Sequence, residues 1–431
     1  MPRLGRLFTT MRRTLVTVVT SVTGVLLVAL VAAGWQRVPA LGPVPDLAVE
    51  DVAFRATVQA HTGAPLVDGN AVQLLLNGDQ IFPAKISVIR AARTSVTYAE
   101  YFWADGPPGA AIAEALAERC RARVKVKVLL DGVGALSMPG EHRRAMVDAG
   151  CDVATFRPVG RLTIRRHNNR NHRRVLVADG RIGITGGSGV SWRWGGDGRR
   201  EDHWRDTDVR LEGPVVEQLQ AAFAENWREA TGELLGGSVW FPPEHEPRGR
   251  VLAHAVRTSP SAGDYGMYRL FLLAIGGARR TIEITNPYFV PDGRLFDALI
   301  DASARGVRVR VLVPGVIDHA LVREAGRRNF GALLRAGVEI YEYRPALLHA
   351  KTMVVDGTFA TVGSTNLDRR SFAMNDELNV AVYDRGIAAA LDRAFNADIA
   401  AARILTYEAW ARRPLKGRVF EVLSIPLTPL L

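Results

Sequence analysis

Apolar and polar positions alternate in short bursts through most of the chain, and the bursts come in pairs. SVTYAEYFWADG (95–106) matches TIEITNPYFVPDG (281–293), and RVKVKVLLDG (123–132) matches RVRVLVPG (308–315). Period-two alternation of β-branched residues predicts strands at these places. AGCDVATFRP (149–158) matches AGVEIYEYRP (336–345) at an offset of 187 residues. Helical segments are predicted between the strands, from Ala110 to Cys120 and from Leu295 to Arg305. Each half therefore runs strand, helix, strand, helix, strand, which predicts an α/β fold of two similar lobes, each a mixed β-sheet flanked by helices. The lobes are placed at 71–235 and 251–400, with a hinge at 236–250 (GGSVWFPPEHEPRGR) and a C-terminal extension at 401–431 that packs on the second lobe.

One segment is apolar without period. Thr14 to Trp35 carries no charge over 22 residues, about 33 Å as a helix, enough to cross a bilayer. Arg3, Arg6, Arg12 and Arg13 precede it, while Asp46, Glu50 and Asp51 follow. The positive-inside rule then predicts a cytoplasmic tail (1–13), a single transmembrane helix (14–35) and an extracytoplasmic body. A cleaved signal peptide is the alternative, because Val31-Ala32-Ala33 offers small residues, and it too exports the body. Residues 36–70 read as a linker.

Composition narrows the chemistry. The formal net charge is +11, which suits an anionic partner. Two cysteines exclude a disulfide-dense scaffold and a Cys-built metal site. Cys120 and Cys151 both fall in the first lobe and would pair if the body is exported; two buried thiols is the alternative. Only five of the 55 basic residues are Lys.

After each repeated Arg-Pro comes a strand led by His. The first reads HRRVLVADGRIGITGGSGVS, with His172, Arg174, Asp179, Gly186 and Gly187. The second reads HAKTMVVDGTFATVGSTNLDRRS, with His349, Lys351, Asp356, Gly363, Ser364 and Asn366. The spacing is H-x-[KR]-x4-D in both, 177 residues apart. Residues i and i+2 of a strand share a face, so each imidazole lies beside a fixed cation. That pairing suits attack on a phosphodiester: a nucleophile next to charge neutralisation. Two such motifs meeting between the lobes supply a nucleophile and a general acid/base. In so Arg-rich a chain, Lys351 marks a place where a compact cation is needed.

These residues resemble the phospholipase D superfamily, whose signature is a duplicated H-x-K-x4-D motif, and within it the bacterial cardiolipin synthase-like branch. NPYFVPDG (286–293), GSTNLDRRSF (363–372), NDELNV (375–380) and WRDTDVRLEGPVVEQLQAAFAENW (204–227) extend the likeness over about residues 75 to 425. The resemblance implies lobes related by pseudo-twofold symmetry and a phosphohistidine intermediate. His172 would be the nucleophile and His349 the general acid/base, although the residues alone permit the reverse. Lys351, Arg174, Ser364 and Asn366 would hold the phosphate oxygens, with Gly187 on the first motif's side. Glu377 would fix the tautomer of His349, and Asp206, by alignment of NDELNV with WRDTDV, that of His172. Asp179 and Asp356 complete the catalytic set, bracing loops rather than touching phosphorus. Arg174 for Lys and Gly189 opposite Asn366 depart from the pattern.

The implied activity is a membrane-anchored phosphatidyltransferase of cardiolipin synthase type. It would act on an anionic phospholipid, phosphatidylglycerol, in a phospholipid membrane, as a monomer with no metal or other cofactor. The alternatives are a phospholipase D that hydrolyses phospholipid, less favourably a nuclease acting on nucleic acid, and a non-catalytic lipid- or phosphate-binding module. Arg161, Arg165, Arg166 and Arg170 would steer anionic headgroups toward His172, and the loop 191–204 is a candidate to dip into the bilayer surface.

Overall fold

The computed structural model describes residues 41–160, 168–243, 246–318 and 320–414, with Thr20, Thr23, Gly24 and Val38 besides. The span 14–35, apart from those three residues, lies outside the described residues, as do the tail 1–13, Arg161, Arg165, Arg166 and residues 415–431. Among the described residues no helix is long and apolar enough to cross a membrane.

In the first half the strands are β1 (Val67–Leu76), β2 (Ser95–Glu100), β3 (Lys125–Asp131), β4 (Asp152–Phe156), β5 (Val175–Ala178), β6 (Ile182–Gly186), β7 (Trp204–Arg205) and β8 (Thr207–Glu212). In the second they are β9 (Val251–Thr258), β10 (Thr281–Thr285), β11 (Arg308–Pro314), β12 (Glu339–Tyr343), β13 (Leu347–Leu348), β14 (Thr352–Val355), β15 (Phe359–Gly363), β16 (Glu377–Tyr383) and β17 (Ala402–Leu405). Fifteen of them form one sheet, ordered β17-β12-β11-β10-β14-β15-β16-β9-β1-β8-β6-β5-β2-β3-β4. Read outward from the central antiparallel β1/β9 pair, the two halves repeat one order. The repeated segments found in the sequence occupy matching strands: β2 with β10, β3 with β11, β4 with β12.

Helices cover both faces. On one face, Val216–Thr231 and Arg385–Ala400 bury Leu219, Phe223, Trp227, Ala388 and Leu391 in a core shared by the two halves. On the other face each half has its own core, built on Ile112, Leu116 and Val128 in the first and on Leu270, Ile284, Leu299 and Val311 in the second. The predicted helices are present as Pro107–Arg121 and Gly293–Ala304.

Two expectations change. Residues 36–70 are not a plain linker: Val52–Thr62 is a helix whose Phe54 and Val58 are buried in the second half's core, and β1 begins at Val67. The β1/β9 pairing ties the halves through the sheet, so 236–250 is not their only connection, and its Trp240 is buried. Of the C-terminal segment, the described residues to 414 pack on the second half, through β17 on β12 and a bond from Trp410 Nε1 to the Arg327 carbonyl (2.7 Å). Cys120 and Cys151 form a disulfide, with Cα atoms 5.5 Å apart.

Candidate active site

Strand pairing brings the two motifs together. The amide of His172 donates to the carbonyl of Asp376 (2.9 Å), and that of His349 to the carbonyl of Arg205 (2.7 Å). Around these bonds, Asn171 bridges Asp376, and β13 runs parallel to β7. The residue after each of those carbonyls is an acid, so each half passes its carboxylate to the other half's imidazole. His172 Nδ1 lies 2.9 Å from both oxygens of Glu377, and His349 Nδ1 lies 2.7 Å from Asp206 Oδ2. This reverses the expected pairing. Aligning NDELNV with WRDTDV identifies equivalent acids, but it carries no information about an exchange across the central strands.

The far ring nitrogens meet the two cations. Arg174 Nη2 is 3.1 Å from His172 Nε2, and its Nη1 donates to the His172 carbonyl (2.7 Å). Lys351 Nζ lies 2.8 Å from His349 Nδ1 and 3.1 Å from its Nε2, and it donates to the His349 carbonyl. Arg has no acceptor, so Nε2 of His172 must carry the lone pair and Nδ1 the proton aimed at Glu377. At His349 the ionised Asp206 has no proton to give, so the Nδ1 that faces it carries the proton. All six groups are buried.

Burial shapes their acidity, and it acts differently on the two acids. Desolvation disfavours charge, and it is the largest influence on both imidazoles. His172 is pushed well below the usual range, with the Arg174 and Lys351 charges adding to the effect. His349 is pushed down to about 4 by burial and Lys351, with Asp206 opposing. Lys351 falls to about 7 for the same reason. Glu377 is raised to about 7 by burial. Asp206 moves the other way: burial works to raise it, but Lys351, His349 and the indole N–H of Trp194 (2.8 Å) outweigh that and hold it well below the usual carboxylate range. Each imidazole feels the opposite motif's cation, and the crossed bonds to Glu377 and Asp206 hold both motifs at the junction of the halves.

The remaining predicted residues divide. Ser364 Oγ donates to Glu377 Oε2 (2.5 Å), so in this structure it supports the acid rather than facing open space. Gly187 donates its amide to the Thr207 carbonyl and lies against Asp206: a Cβ there would stand 2.2 Å from Asp206 Oδ1. Asn366 is buried with its Oδ1 lacking a partner among the described residues. Asp179 accepts from the amides of Arg93, Thr94 and Ser95, and Asp356 from those of Arg279, Arg280 and Thr281. Both tie the far ends of the motif strands and stand apart from the imidazoles. Arg170 is no steering charge; it is buried against Asp131 and the carbonyls of Phe156 and Arg157.

Several residues at the site escaped the sequence reading. Trp194 fills the space that Gly189 leaves open, where a Cβ would meet its ring at 3.0 Å. Its indole sits on Asp206 and its ring lies 5.2 Å from that of His349. Gly189 is therefore room for an indole. Tyr101 packs its ring 4.7 Å from that of His172 and 5.6 Å from the Arg174 guanidinium. Lys85 is buried, bonded to Ser188 (2.8 Å) and paired with Asp208 (3.1 Å) behind the first motif. The scarcity of Lys that marked Lys351 would have marked Lys85 as well.

A family model described as "Cardiolipin synthase, PLD-like domain" matches residues 271–399. Cardiolipin synthase A of Pseudomonas putida is 36% identical over 345 residues, 80% of this chain and 71% of that one. The major cardiolipin synthase ClsA of Bacillus subtilis is 33% identical over 386 residues, covering 89% and 79%. The chain belongs to the cardiolipin synthase family. Cardiolipin synthase 1 of Bacillus cereus is 30% identical over 87% of this chain and 75% of its own length. Among solved structures, phosphatidylserine synthase of Haemophilus influenzae superposes with a TM-score of 0.69 at 14% identity, over 88% of this chain and all of that one, a likeness of fold. Membership in the family agrees with the duplicated motifs and with the resemblance they carry.

Proposed function

We propose that this protein is a phosphatidyltransferase of cardiolipin synthase type, taking phosphatidylglycerol as both donor and acceptor at a membrane surface. The observation that carries this reading is the pair of buried imidazoles at the junction of the halves, each with Nδ1–H on a carboxylate from the opposite half and Nε2 beside a buried cation. In the first step Nε2 of one His attacks phosphorus as the bond from phosphorus to the glycerol oxygen breaks, and the other His, which enters the cycle protonated on both ring nitrogens, gives its Nε2 proton to the glycerol alkoxide. In the second step that His removes a proton from the hydroxyl of another phosphatidylglycerol, the new P–O bond forms, and the P–N bond breaks. Arg174, Lys351 and Asn366 surround the phosphate oxygens.

The inequality of the acids favours His172 as nucleophile. The ionised Asp206 stabilises a second proton on His349, as an acid/base needs. His172, beside Arg174 and a carboxyl of raised pKa, stays unprotonated. The equal strand order of the halves and the constant motif offset support two lobes related by a pseudo-twofold axis. The disulfide and the charge bias around residues 14–35 support an anchored, extracytoplasmic body.

The test is a mass-spectrometric product assay with the purified full chain and phosphatidylglycerol. Cardiolipin and glycerol are expected, His172→Ala and His349→Ala are each expected to be inactive, and trapping without acid, which spares the acid-labile P–N bond, is expected to place the phosphatidyl group on His172. Full activity in either variant would refute the two-imidazole scheme.

A further inference from the structure

Four large apolar side chains stand exposed along one edge of the first half, the edge that bears His172. β2, β3 and β4 are parallel and end together, at Glu100, Asp131 and Phe156. β5 is antiparallel to β2, with Val175 opposite Ala99, so His172 lies past the carboxyl end of β2. β6 ends there too, since Thr185 pairs with Val175. Val133 and Leu136 follow β3, Val159 follows β4 and Trp192 follows β6; they are 42, 69, 60 and 44% exposed. The matching loops of the second half, 286–292, 315–318 and 344–346, expose no large apolar side chain.

The loops that carry them touch one another and the site. A Cβ on Gly132 would stand 2.4 Å from the Arg157 carbonyl oxygen, one on Gly134 2.2 Å from that of Tyr101, and one on Gly106 2.7 Å from Cβ of Trp192. The run from Val159 to Trp192 is thus continuous. Tyr101, in its middle, packs on His172, and Trp194, at its end, lies against His349. The loop GVGALSMP (132–139) carries no charge in eight residues. Its polar backbone is largely spoken for. The amides of Val133 and Gly134 donate to the Asp131 carboxylate (2.8 and 3.0 Å), and those of Ala135, Leu136 and Met138 to the carbonyls of Asp131, Val133 and Ala135. These groups lose nothing when the loop leaves water. Arg193, also exposed, keeps its guanidinium 5.9 Å from the Trp192 ring, so an interfacial aromatic and a cation stand side by side.

The second half adds an independent observation. Asp46 and Glu50 pair with Arg279 and Arg280 (2.6 and 3.0 Å), just ahead of β10, whereas the Gly42 carbonyl accepts from Arg294 (2.8 Å), in the first turn of the helix that follows β10. Read toward the N-terminus, the chain leaves the far edge and heads for the edge that bears His349, in the direction of the uncharged stretch 14–35. We propose that the run Val133, Leu136, Val159 and Trp192 is the face on which the body sits on an anionic phospholipid bilayer. The four side chains enter the interfacial layer, and Arg193 lies level with the lipid phosphates. The inference rests on the transferase reading above and deepens it, naming the surface through which the site meets lipid. A body held only by the chain before Leu41 could face any direction; this second hold turns both imidazoles toward the headgroups.

The test uses the full chain in vesicles of phosphatidylglycerol and phosphatidylcholine. Bimane is attached to Leu136→Cys, to Val159→Cys and, as a control, to Val147→Cys, whose side chain is 49% exposed at the opposite edge, just ahead of β4. Lipids with a nitroxide high on the acyl chain should quench the first two labels and leave the third as it is in plain vesicles. Equal quenching at all three, or none at 136 and 159, would overturn the docking face; none together with cross-linking between copies would give the run to a second copy of the chain. Leu136→Asp should lower glycerol release from the vesicles about tenfold, the effect of withdrawing one leucine from apolar surroundings, and leave release from monomeric dihexanoyl phosphatidylglycerol unchanged. An equal loss on both substrates would overturn the proposal. If Leu136→Asp does not accumulate as folded protein, Val133→Asp carries the same expectation. A native protein that releases no glycerol from either lipid would overturn the transferase reading, while the quenching pattern would still decide the docking face.

Discussion

Replacing Gly187 by alanine puts a methyl group where the Asp206 carboxylate stands. The added Cβ would lie 2.2 Å from Oδ1, 3.0 Å from Cγ and 3.2 Å from Oδ2. The backbone cannot easily retreat, because Gly186, the residue before Gly187, and Asp208, two residues after Asp206, are paired in adjacent strands, β6 and β8. The carboxylate must therefore move by about 1 Å to reach ordinary contact distance. It is held by three donors at 2.7–2.8 Å: His349 Nδ1, Trp194 Nε1 and the Thr207 amide. A shift of that size takes the 2.7 Å bond to His349 beyond hydrogen-bonding range. A charge-assisted bond of this kind contributes about 1.5–3 kcal/mol, so Gly187→Ala should lower turnover roughly 10- to 150-fold. The assay is glycerol release from phosphatidylglycerol vesicles, with thermal unfolding followed in parallel. A folded variant within threefold of native turnover would refute the claim that the fixed position of Asp206 governs His349.

Two further expectations concern stability. His254 is buried away from the site, with Nδ1 on the Ala64 carbonyl (3.2 Å) and Nε2 unpartnered among the described residues. Burial lowers it to about 4 from an ordinary 6.5. The unfolded chain therefore takes up the proton first, and the stability this residue contributes is full above pH 6.5 and lost as pH falls toward 4. His254→Gln should flatten the fall in Tm between those values; an unchanged slope would refute this. Cutting the Cys120–Cys151 disulfide, which spans 31 residues, by Cys120→Ser should cost about 3–4 kcal/mol on the chain-entropy account. Reductant should lower the Tm of the native protein and leave that of the variant unmoved.

What the sequence made legible was whatever repeats. Strands of alternating Val, Ile and Leu, and motifs with fixed spacing, carry their period in the letters, so β2, β3, β10 and β11 and the two His-led strands could be placed. Features that depend on a distant partner could not. The helix Val52–Thr62 is short, and Thr57 and Val58 give it modest intrinsic propensity; it exists because Phe54 and Val58 insert beside Phe359, 6.1 Å from the Phe54 ring. Arg170 read as a solvent-facing cation, since nothing nearby in sequence announces Asp131. The acids at 206 and 377 were found as site residues, but their crossed assignment arises where β13 meets β7, a pairing between segments about 140 residues apart. Gly189 looked like decay of the motif because Trp194, which needs the space, lies five residues on with no fixed spacing to flag it.

The central β1/β9 ladder has a mechanical corollary. Two catalytic halves joined by a flexible strap would open and shut like jaws around each lipid. Halves woven into one continuous sheet, with Arg173 of one bonded to the Thr258 and Glu377 carbonyls of the other (3.0 and 3.2 Å), are denied that motion. The spacing between the two reactive nitrogens is then a fixed dimension of the scaffold, the same for donor and acceptor steps.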